Sequence, residues 1–423
     1  MIIKKDIFYK AFLLFILLVT VAIASIEVTI SVCLAISLFF LFDVKFKYSN
    51  TFINTLTPLV GVFIIAGIST FFYKREIYDV IKDFVYLIKP ILFIWLGFYL
   101  TGKIRDKEFI FKVILYLGAF FAAYHMYEVF MYFLEKGFNF SVQATRYVGG
   151  KANYVELFAM VLLHLRKDLK PFQFKIKFHL LLRLLLYASF VLYFSRTMLL
   201  GFVVLYLSIN GYTKLTRKGI IYISVFLIAG IAFFSVLMNL KLDRTSTGVE
   251  GFFYKLQNAP SEIFTTDVDI NDDDAKLWDH WRGYEANRAF SQLDEAPYNY
   301  GYVFGKGMGS LVDLGFEAPL NVGGIQHIPI IHNGFAYIVF KSGFVGLFLY
   351  LIFLLSLYLL AYKRTQNNKL LFTYNLISGV SIFFFFTTLT ITGIYNHGDV
   401  VTFFLGSFLF LKKYYHQNET IAL

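Results

Sequence analysis

The chain has 423 residues, of which 58% are hydrophobic and only 16% are charged, and its mean hydropathy is +0.64. Soluble domains have about 45–50% apolar and about 25% charged residues, so the composition excludes an ordinary soluble protein. The net charge of +11 is unevenly distributed, which argues against nucleic-acid binding and for a membrane-topology signal. The single cysteine excludes an intrachain disulfide and a cysteine-based metal site.

Long apolar runs recur along the whole chain and predict membrane-spanning helices. The runs are continuous rather than alternating, which excludes a membrane β-barrel. The N-terminus also resembles a signal peptide ending near Ala22-Ile23-Ala24, but we expect the first helix to remain uncleaved. We predict about twelve spans, at residues 7–25, 27–42, 52–72, 84–100, 109–134, 152–165, 179–195, 197–212, 219–238, 331–361, 370–392 and 398–412.

Basic residues cluster in alternate segments between these spans. By the positive-inside rule, the basic segments and both termini are expected in the cytoplasm. The acidic segment on the opposite side is the only long aqueous one, so we divide the chain into spans 1–9 (1–238), an external loop domain (239–330) and spans 10–12 (331–423). The basic residues are Lys4, Lys5, Lys45, Lys47, Lys103, Arg105, Lys107, Arg166, Lys167, Lys170, Lys175, Lys177, Lys214, Arg217, Lys218, Lys363, Arg364, Lys369, Lys412 and Lys413.

The middle of the loop domain has aromatic residues at helical spacing. Trp278, Trp281 and Tyr284 predict a helix lying at the membrane interface, where such rings are enriched. Arg282 lies between two of these aromatics, which favours a substrate-facing role for Trp281, Arg282 and Tyr284. The alternative is a solvated face paired with Glu285, and we prefer that interpretation for Arg288 although it is also a candidate substrate contact.

Arg196 separates two apolar runs, within Phe194-Ser195-Arg196-Thr197. An arginine at bilayer depth costs about 2.5–3.5 kcal/mol, so it usually has a partner. Its planar guanidinium is suited to phosphate oxygens and stays charged, which predicts an anion ligand. The alternative is an interfacial residue whose charged end reaches water.

A second group of polar residues precedes and enters the sixth span. Arg146 and Lys151 flank a Gly149-Gly150 pair, and Asn153 and Glu156 follow at helical spacing. Intramembrane carboxylates are rare and usually line a cavity, so we predict that these four residues bind substrate. The alternative for Glu156 is an ion pair with one of the neighbouring basic residues.

Two further patterns are incomplete. Gly305-Lys306-Gly307-Met308-Gly309 lacks the preceding strand and the Gly-Lys-Ser/Thr ending of a phosphate loop, so we predict a flexible turn near the site. The acidic run 267–274 resembles the start of a calcium loop but lacks its Gly and closing Glu, and whether it binds calcium stays open. No histidine has zinc-site spacing, so we expect no metal and no cofactor.

His332 stands where the acidic loop meets an apolar run, and Asn333 and Gly334 follow it. A histidine titrates near neutral pH and can take a proton from a hydroxyl group. Because a helix N-terminus disfavours the imidazolium form, this position predicts a neutral imidazole that can act as a base.

Four segments together resemble the O-antigen ligase and O-antigen polymerase superfamily. One segment resembles its signature region, beginning with His332-Asn333-Gly334-Phe335 and continuing to Lys341-Ser342-Gly343-Phe344-Val345-Gly346-Leu347. Three other segments resemble its arginine and glycine motifs, in the family's order and over about residues 140–361: Ser195-Arg196-Thr197, Trp281-Arg282-Gly283-Tyr284-Glu285 and Phe304-Gly305-Lys306-Gly307-Met308-Gly309.

The resemblance implies an all-α, GT-C-like, metal-independent glycosyltransferase of the bacterial inner membrane. Its donor would be a glycan on undecaprenyl diphosphate. The acceptor would be a sugar hydroxyl of a second lipid-linked glycan for a polymerase, which we prefer, or of lipid A-core for a ligase. Arg196 and Arg282 would hold the diphosphate, His332 would act as the base and Asn333 would contact substrate. Membrane lipid and a chain-length regulator protein would be partners.

Two other classes of protein have a similar number of spans. A flippase or other transporter of lipid-linked glycans would place basic residues along an internal cavity and would not need an aqueous domain of about ninety residues. A non-catalytic membrane scaffold would not need arginine and histidine on one face. Cells lacking a transferase should accumulate unpolymerised repeats outside, whereas cells lacking a flippase should retain them inside.

Overall fold

The computed structural model describes residues 5–23, 25–41, 48–137, 148, 152–165, 175–193, 195–243, 248–264, 274–296, 299–319 and 324–422. These residues are mostly helical, in agreement with the predicted fold class. The helices before the loop region (residues 239–330) are α1 (Lys5–Ala22), α2 (Ile26–Leu41), α3 (Asn50–Thr70), α4 (Ile77–Lys103), α5 (Phe109–Lys136), α6 (Asn153–Leu163), α7 (His179–Leu192), α8 (Arg196–Ile209) and α9 (Arg217–Met238).

The described residues of the loop region form short helices and a hairpin. Its helices are α10 (Gly248–Gln257), α11 (Ala259–Phe264), α12 (Asp274–Asp279), α13 (Trp281–Ser291) and α14 (Tyr300–Phe304). Its strands, β1 (Val312–Ala318) and β2 (Ile325–Ile328), are antiparallel. After the loop region come α15 (Gly334–Tyr358), a 3-10 turn (Leu359–Tyr362), α16 (Asn368–Thr390), a 3-10 turn (Gly393–Tyr395) and α17 (Val401–Ala422).

A helix lies at each predicted span. Within the described part of the chain, six helices are long and apolar enough to cross a membrane: α3, α4, α5, α9, α15 with its following turn, and α16. Four others are shorter apolar helices: α2, α6, α7 and α8. α9 is apolar all round yet almost entirely exposed, with only Gly219 and Leu237 buried. Such a surface is stable in lipid and not in water, which identifies the chain as a membrane protein.

Two details of the loop region differ from the prediction. The helix predicted from Trp278, Trp281 and Tyr284 is divided, because α12 ends at Asp279 and α13 begins at Trp281. The hairpin, in which Val312 pairs with Ile328, was not predicted. Its strands are short and contain Gly315 with φ +80°, so the alternation typical of a strand is weak.

The predicted span 331–361 is interrupted. Gly343 has φ 68° and ψ −174°, which is outside the helical region and breaks α15 into two segments. A side chain at Gly343 would collide with the backbone of Val303, so the break and the close approach both require glycine. The N-terminal segment of α15, before the break, is therefore placed independently of the rest of the helix.

The glycine-rich segment Gly305–Ser310 packs tightly against this break. The N–H of Lys306 donates to Phe340 O at 2.8 Å, and the N–H of Gly307 donates to Lys341 O at 3.1 Å. All six residues are buried. The prediction of a flexible turn is therefore wrong, because the segment's backbone donors are used to hold α15.

A buried ion pair completes this contact. Lys341, with 0% side-chain exposure, pairs with Asp83 of α4, with 1%, and its ammonium also donates to Ser310 O. The same carboxylate accepts the N–H of Gly309 at 2.6 Å. The pair thus ties α4, α15 and the glycine-rich segment together.

Candidate active site

The start of α15 is fixed by its own polar residues. The side-chain oxygen of Asn333 accepts the N–H groups of Phe335 and Ala336, at 3.1 and 3.2 Å. The N–H of Gly334 donates to Ile391 O at 2.9 Å. Asn333 is therefore an N-cap, and its predicted contact with substrate stays a prediction.

His332, immediately before the cap, is held by a buried glutamate of α13. Its Nδ1 lies 3.0 Å from Oε2 of Glu285, and its backbone N–H donates to the same oxygen at 2.7 Å. The Glu285 side chain is 1% exposed, whereas that of His332 is 54% exposed. Glu285 thus fixes the orientation of the ring through Nδ1, and Nε2 at the opposite edge is the nitrogen that can meet a ligand.

Glu285 also determines the charge preference of the imidazole. Its hydrogen bond raises the pKa of His332 above the ordinary value, against the opposing effects of burial and of the Arg282 charge. The prediction that the helix N-terminus keeps His332 neutral is therefore wrong in direction. A carboxylate in direct contact outweighs a helix dipole, whose effect is typically 0.3–1 kcal/mol.

The two predicted arginines come together on one carboxylate. Glu262 of α11 lies with Oε2 2.9 Å from Nη2 of Arg196 and with Oε1 3.4 Å from Nε of Arg282. The three side chains are 19–25% exposed, so the cluster is open to solvent on one side. Arg196 is placed by Ser195, which caps α8 by accepting the N–H of Met198, and by a hydrogen bond to Lys255 O.

The arginines and the histidine belong to one cluster. The charges of Arg282 and Glu262 both act on the His332 imidazole, and Arg282 and Glu285 are three residues apart on α13. Residues at this helical spacing share a face. The structure therefore brings together all three residues predicted to be catalytic.

The remaining predicted residues of α13 attach the helix to the hairpin. The rings of Trp281 and Tyr284 are 6% and 4% exposed and pack on Phe316. Arg288 donates from Nε to Asp313 O at 3.0 Å. The alternative pairing of Arg282 and Arg288 with Glu285 is wrong, since Arg282 pairs with Glu262, Arg288 with Asp313 and Glu285 with His332. The burial of the two rings favours packing over substrate contact.

Glu156 is buried inside the helix bundle. It is 2% exposed, and its carboxylate accepts hydrogen bonds from the hydroxyls of Tyr193, at 2.8 Å, and of Ser189. The Ser189 hydroxyl also contacts Nδ1 of His125 at 2.8 Å. The hydroxyl groups of Ser189 in α7 and of Tyr193, the residue after α7, thus satisfy the Glu156 carboxylate. The alternative ion pair with Arg146 or Lys151 stays a prediction, because both residues lie outside the described part of the chain.

The remaining sequence predictions concern Asn153, two basic residues and the acidic run. Asn153 is the first residue of α6, three residues before Glu156. Arg146, Lys151 and residues 267–273 of the acidic run lie outside the described residues. Among the residues that are described, no group of three or more His, Cys, Asp or Glu side chains is arranged to hold a metal ion.

Sequence reasoning missed the roles of Glu262 and Glu285. Glu285 lies within the arginine motif, where its helical spacing favoured pairing with an arginine. No sequence pattern distinguishes Glu262 from the other acidic residues of the loop region. No protein-family model matches the chain, and no curated protein matches it significantly. The function is therefore argued from the geometry of this cluster and from the motif resemblance.

Proposed function

We propose that the protein is an integral-membrane glycosyltransferase that polymerises a surface polysaccharide. It would transfer a glycan from undecaprenyl diphosphate to a sugar hydroxyl of a second lipid-linked glycan, on the periplasmic face of a bacterial inner membrane. The observation that carries the proposal is the half-exposed His332, oriented by the buried Glu285 of α13. The same helix carries Arg282, which shares the carboxylate of Glu262 with Arg196. Both termini would be cytoplasmic.

The arrangement supports a single displacement step. Nε2 of His332 takes the proton of the acceptor hydroxyl as its oxygen attacks the anomeric carbon, which contributes typically 10²–10⁴ in rate. The bond between that carbon and the diphosphate oxygen breaks, and the diphosphate leaves with the electron pair. Arg196 and Arg282 stabilise the charge that develops on it. The Glu285 carboxylate stabilises the imidazolium that forms, as an orienting carboxylate does in a Ser-His-Asp triad.

The position of the cluster suits lipid-linked substrates. Arg196 is the first residue of the apolar helix α8, and His332 directly precedes the N-cap of the apolar α15. Two substrates that each carry a long hydrocarbon tail need a reactive site where polar groups meet apolar helices. The same geometry serves transfer to lipid A-core, so the acceptor on which the product remains distinguishes a polymerase from a ligase.

The test is in vitro transfer by purified, folded variants. His332→Ala should reduce turnover by about 10²–10⁴ while donor binding is largely kept, because the base acts on the acceptor. His332→Gln, similar in shape but unable to take the proton, should be nearly as slow.

His327→Gln is the matched control, since His327 is an exposed histidine of the same loop region. It should transfer at the wild-type rate. Near wild-type turnover by His332→Gln would remove the assignment of His332 as the base.

A further inference from the structure

The carboxylate of Glu262 occupies the position between two arginines that the proposed function gives to the donor diphosphate. Each of its oxygens meets a different guanidinium, Oε2 that of Arg196 and Oε1 that of Arg282. Bridging of this kind is how two arginines hold a phosphate group. We propose that Glu262 is a specificity residue: it competes for the arginine pair, so that singly charged phosphodiesters are rejected and multiply charged diphosphates are accepted. This inference rests on the proposed function.

The position of the cluster makes such selection necessary. The boundary of a membrane helix, where Arg196 lies, is also where phospholipid headgroups lie. An uncovered pair of guanidiniums would bind these phosphodiesters, which far outnumber any lipid-linked glycan. Discrimination between similar ligands often requires a repulsive or competing group in addition to attractive contacts.

The charges explain how one carboxylate discriminates. Glu262 neutralises part of the positive charge of Arg196 and Arg282. A singly charged phosphodiester that displaces it replaces one negative charge with another and gains little attraction. A diphosphate replaces one negative charge with at least two. Since all three side chains are mostly shielded from solvent, at 19–25% exposure, the extra attraction is larger here than in bulk water.

The opposite role for Glu262 makes the opposite prediction. A carboxylate that only held the two guanidiniums in place would help a phosphate to bind, as a positioning residue does. Its removal would then weaken diphosphate binding. If Glu262 instead competes with the diphosphate, its removal strengthens diphosphate binding.

The experiment measures binding of farnesyl diphosphate to the full-length protein in nanodiscs of phosphatidylcholine or of phosphatidylglycerol. The choline cation of phosphatidylcholine offsets its phosphate charge, so this lipid competes little for the arginines. In it, Glu262→Gln should bind the probe about tenfold more tightly than the wild type, a change equal to about 1.4 kcal/mol. In phosphatidylglycerol, that gain should be largely lost, because the anionic lipid enters the opened site. The wild type should differ little between the two membranes.

Glu295→Gln is the matched control, because it removes the same charge from an exposed carboxylate that pairs with Lys306 instead. It should bind like the wild type in both membranes. Equal or weaker binding by Glu262→Gln in phosphatidylcholine, or an equal effect of phosphatidylglycerol on wild type and variant, would overturn the inference.

Arg196→Ala separates this inference from the proposed function. If it binds the probe as tightly as the wild type, the arginine site itself is wrong and the inference fails with it. If it loses binding while Glu262→Gln gains none, only the role given to Glu262 fails.

Discussion

Two acid–base pairs flank the N-terminal segment of α15, and they differ in exposure. At its beginning, His332 pairs with Glu285 and keeps 54% of its side chain exposed. Just before its break, Lys341 pairs with Asp83, and neither side chain exceeds 1% exposure. Both pairs join α15 to a carboxylate from another helix.

The difference in exposure indicates a chemical role for His332 and a structural role for Lys341. A substrate can reach the His332 ring, whereas nothing can reach the Lys341 ammonium without unfolding the contact around it. A buried ion pair adds little net stability over an apolar pair of the same shape, but breaking it leaves a buried charge unpaired. The Lys341–Asp83 pair therefore stabilises the N-terminal segment of α15, which directly follows His332 and its neighbour Asn333.

The largest expected effect is a loss of protein stability when the buried Lys341–Asp83 pair is broken. Lys341→Met leaves Asp83 without its cation and should destabilise the protein by about 3–5 kcal/mol, since a buried charge is uncompensated. The measurement is the yield and the thermal unfolding midpoint of detergent-purified protein. Adding Asp83→Leu should recover much of the loss.

Lys369→Met is the control for this experiment, because Lys369 pairs with Glu108 at 35% and 21% exposure. Exposed pairs contribute about 0–1 kcal/mol, so its unfolding midpoint should hardly move. An unchanged midpoint for Lys341→Met, accompanied by a loss of turnover in folded protein, would place Lys341 in the chemistry instead.

The next effect is on the pH dependence of transfer. Only neutral His332 accepts a proton, so the wild-type rate should rise with pH through the raised pKa of this imidazole. Glu285→Gln still accepts the Nδ1–H bond but lacks the charge, so the His332 pKa and the half-maximal pH should both fall. Turnover at high pH should fall about tenfold or more, because the imidazolium formed in the reaction loses its counter-charge.

The midpoint of the rate–pH curve is the decisive measurement for Glu285→Gln. A merely structural role would lower the amount of folded protein and leave that midpoint in place. An unmoved midpoint in folded variant protein would contradict the role of Glu285 as the residue that positions and charges His332.

The smallest effect concerns Arg288, whose Nε donates to Asp313 O. Arg288→Ala should destabilise the protein by about 0.5–1.5 kcal/mol, the typical contribution of one hydrogen bond, and leave farnesyl diphosphate binding within about twofold of the wild type. Thermal unfolding and the binding assay test the two parts separately. A large loss of binding at unchanged stability would restore the substrate contact predicted from the sequence.

The positions of the helices and the candidate functional residues follow from local features of the sequence. Apolar runs locate helices because no polar backbone group can be left unpaired in lipid. Arg196 and His332 stood out for a related reason, since a charged or titratable side chain at an apolar boundary is costly unless it has a partner or a function. Both inferences need only the neighbouring residues along the chain.

The partners of these residues depend on the fold. Glu285 lies 47 positions before His332, and Glu262 lies 66 positions after Arg196. Tyr284, the neighbour of Glu285 on α13, packs on Phe316 of the hairpin, and Glu285 contacts His332 just before the cap of α15. The sequence allowed Glu285 to pair with an arginine of its own helix. Local spacing permits several pairings of a carboxylate, and the choice among them is made by contacts between segments distant in the chain.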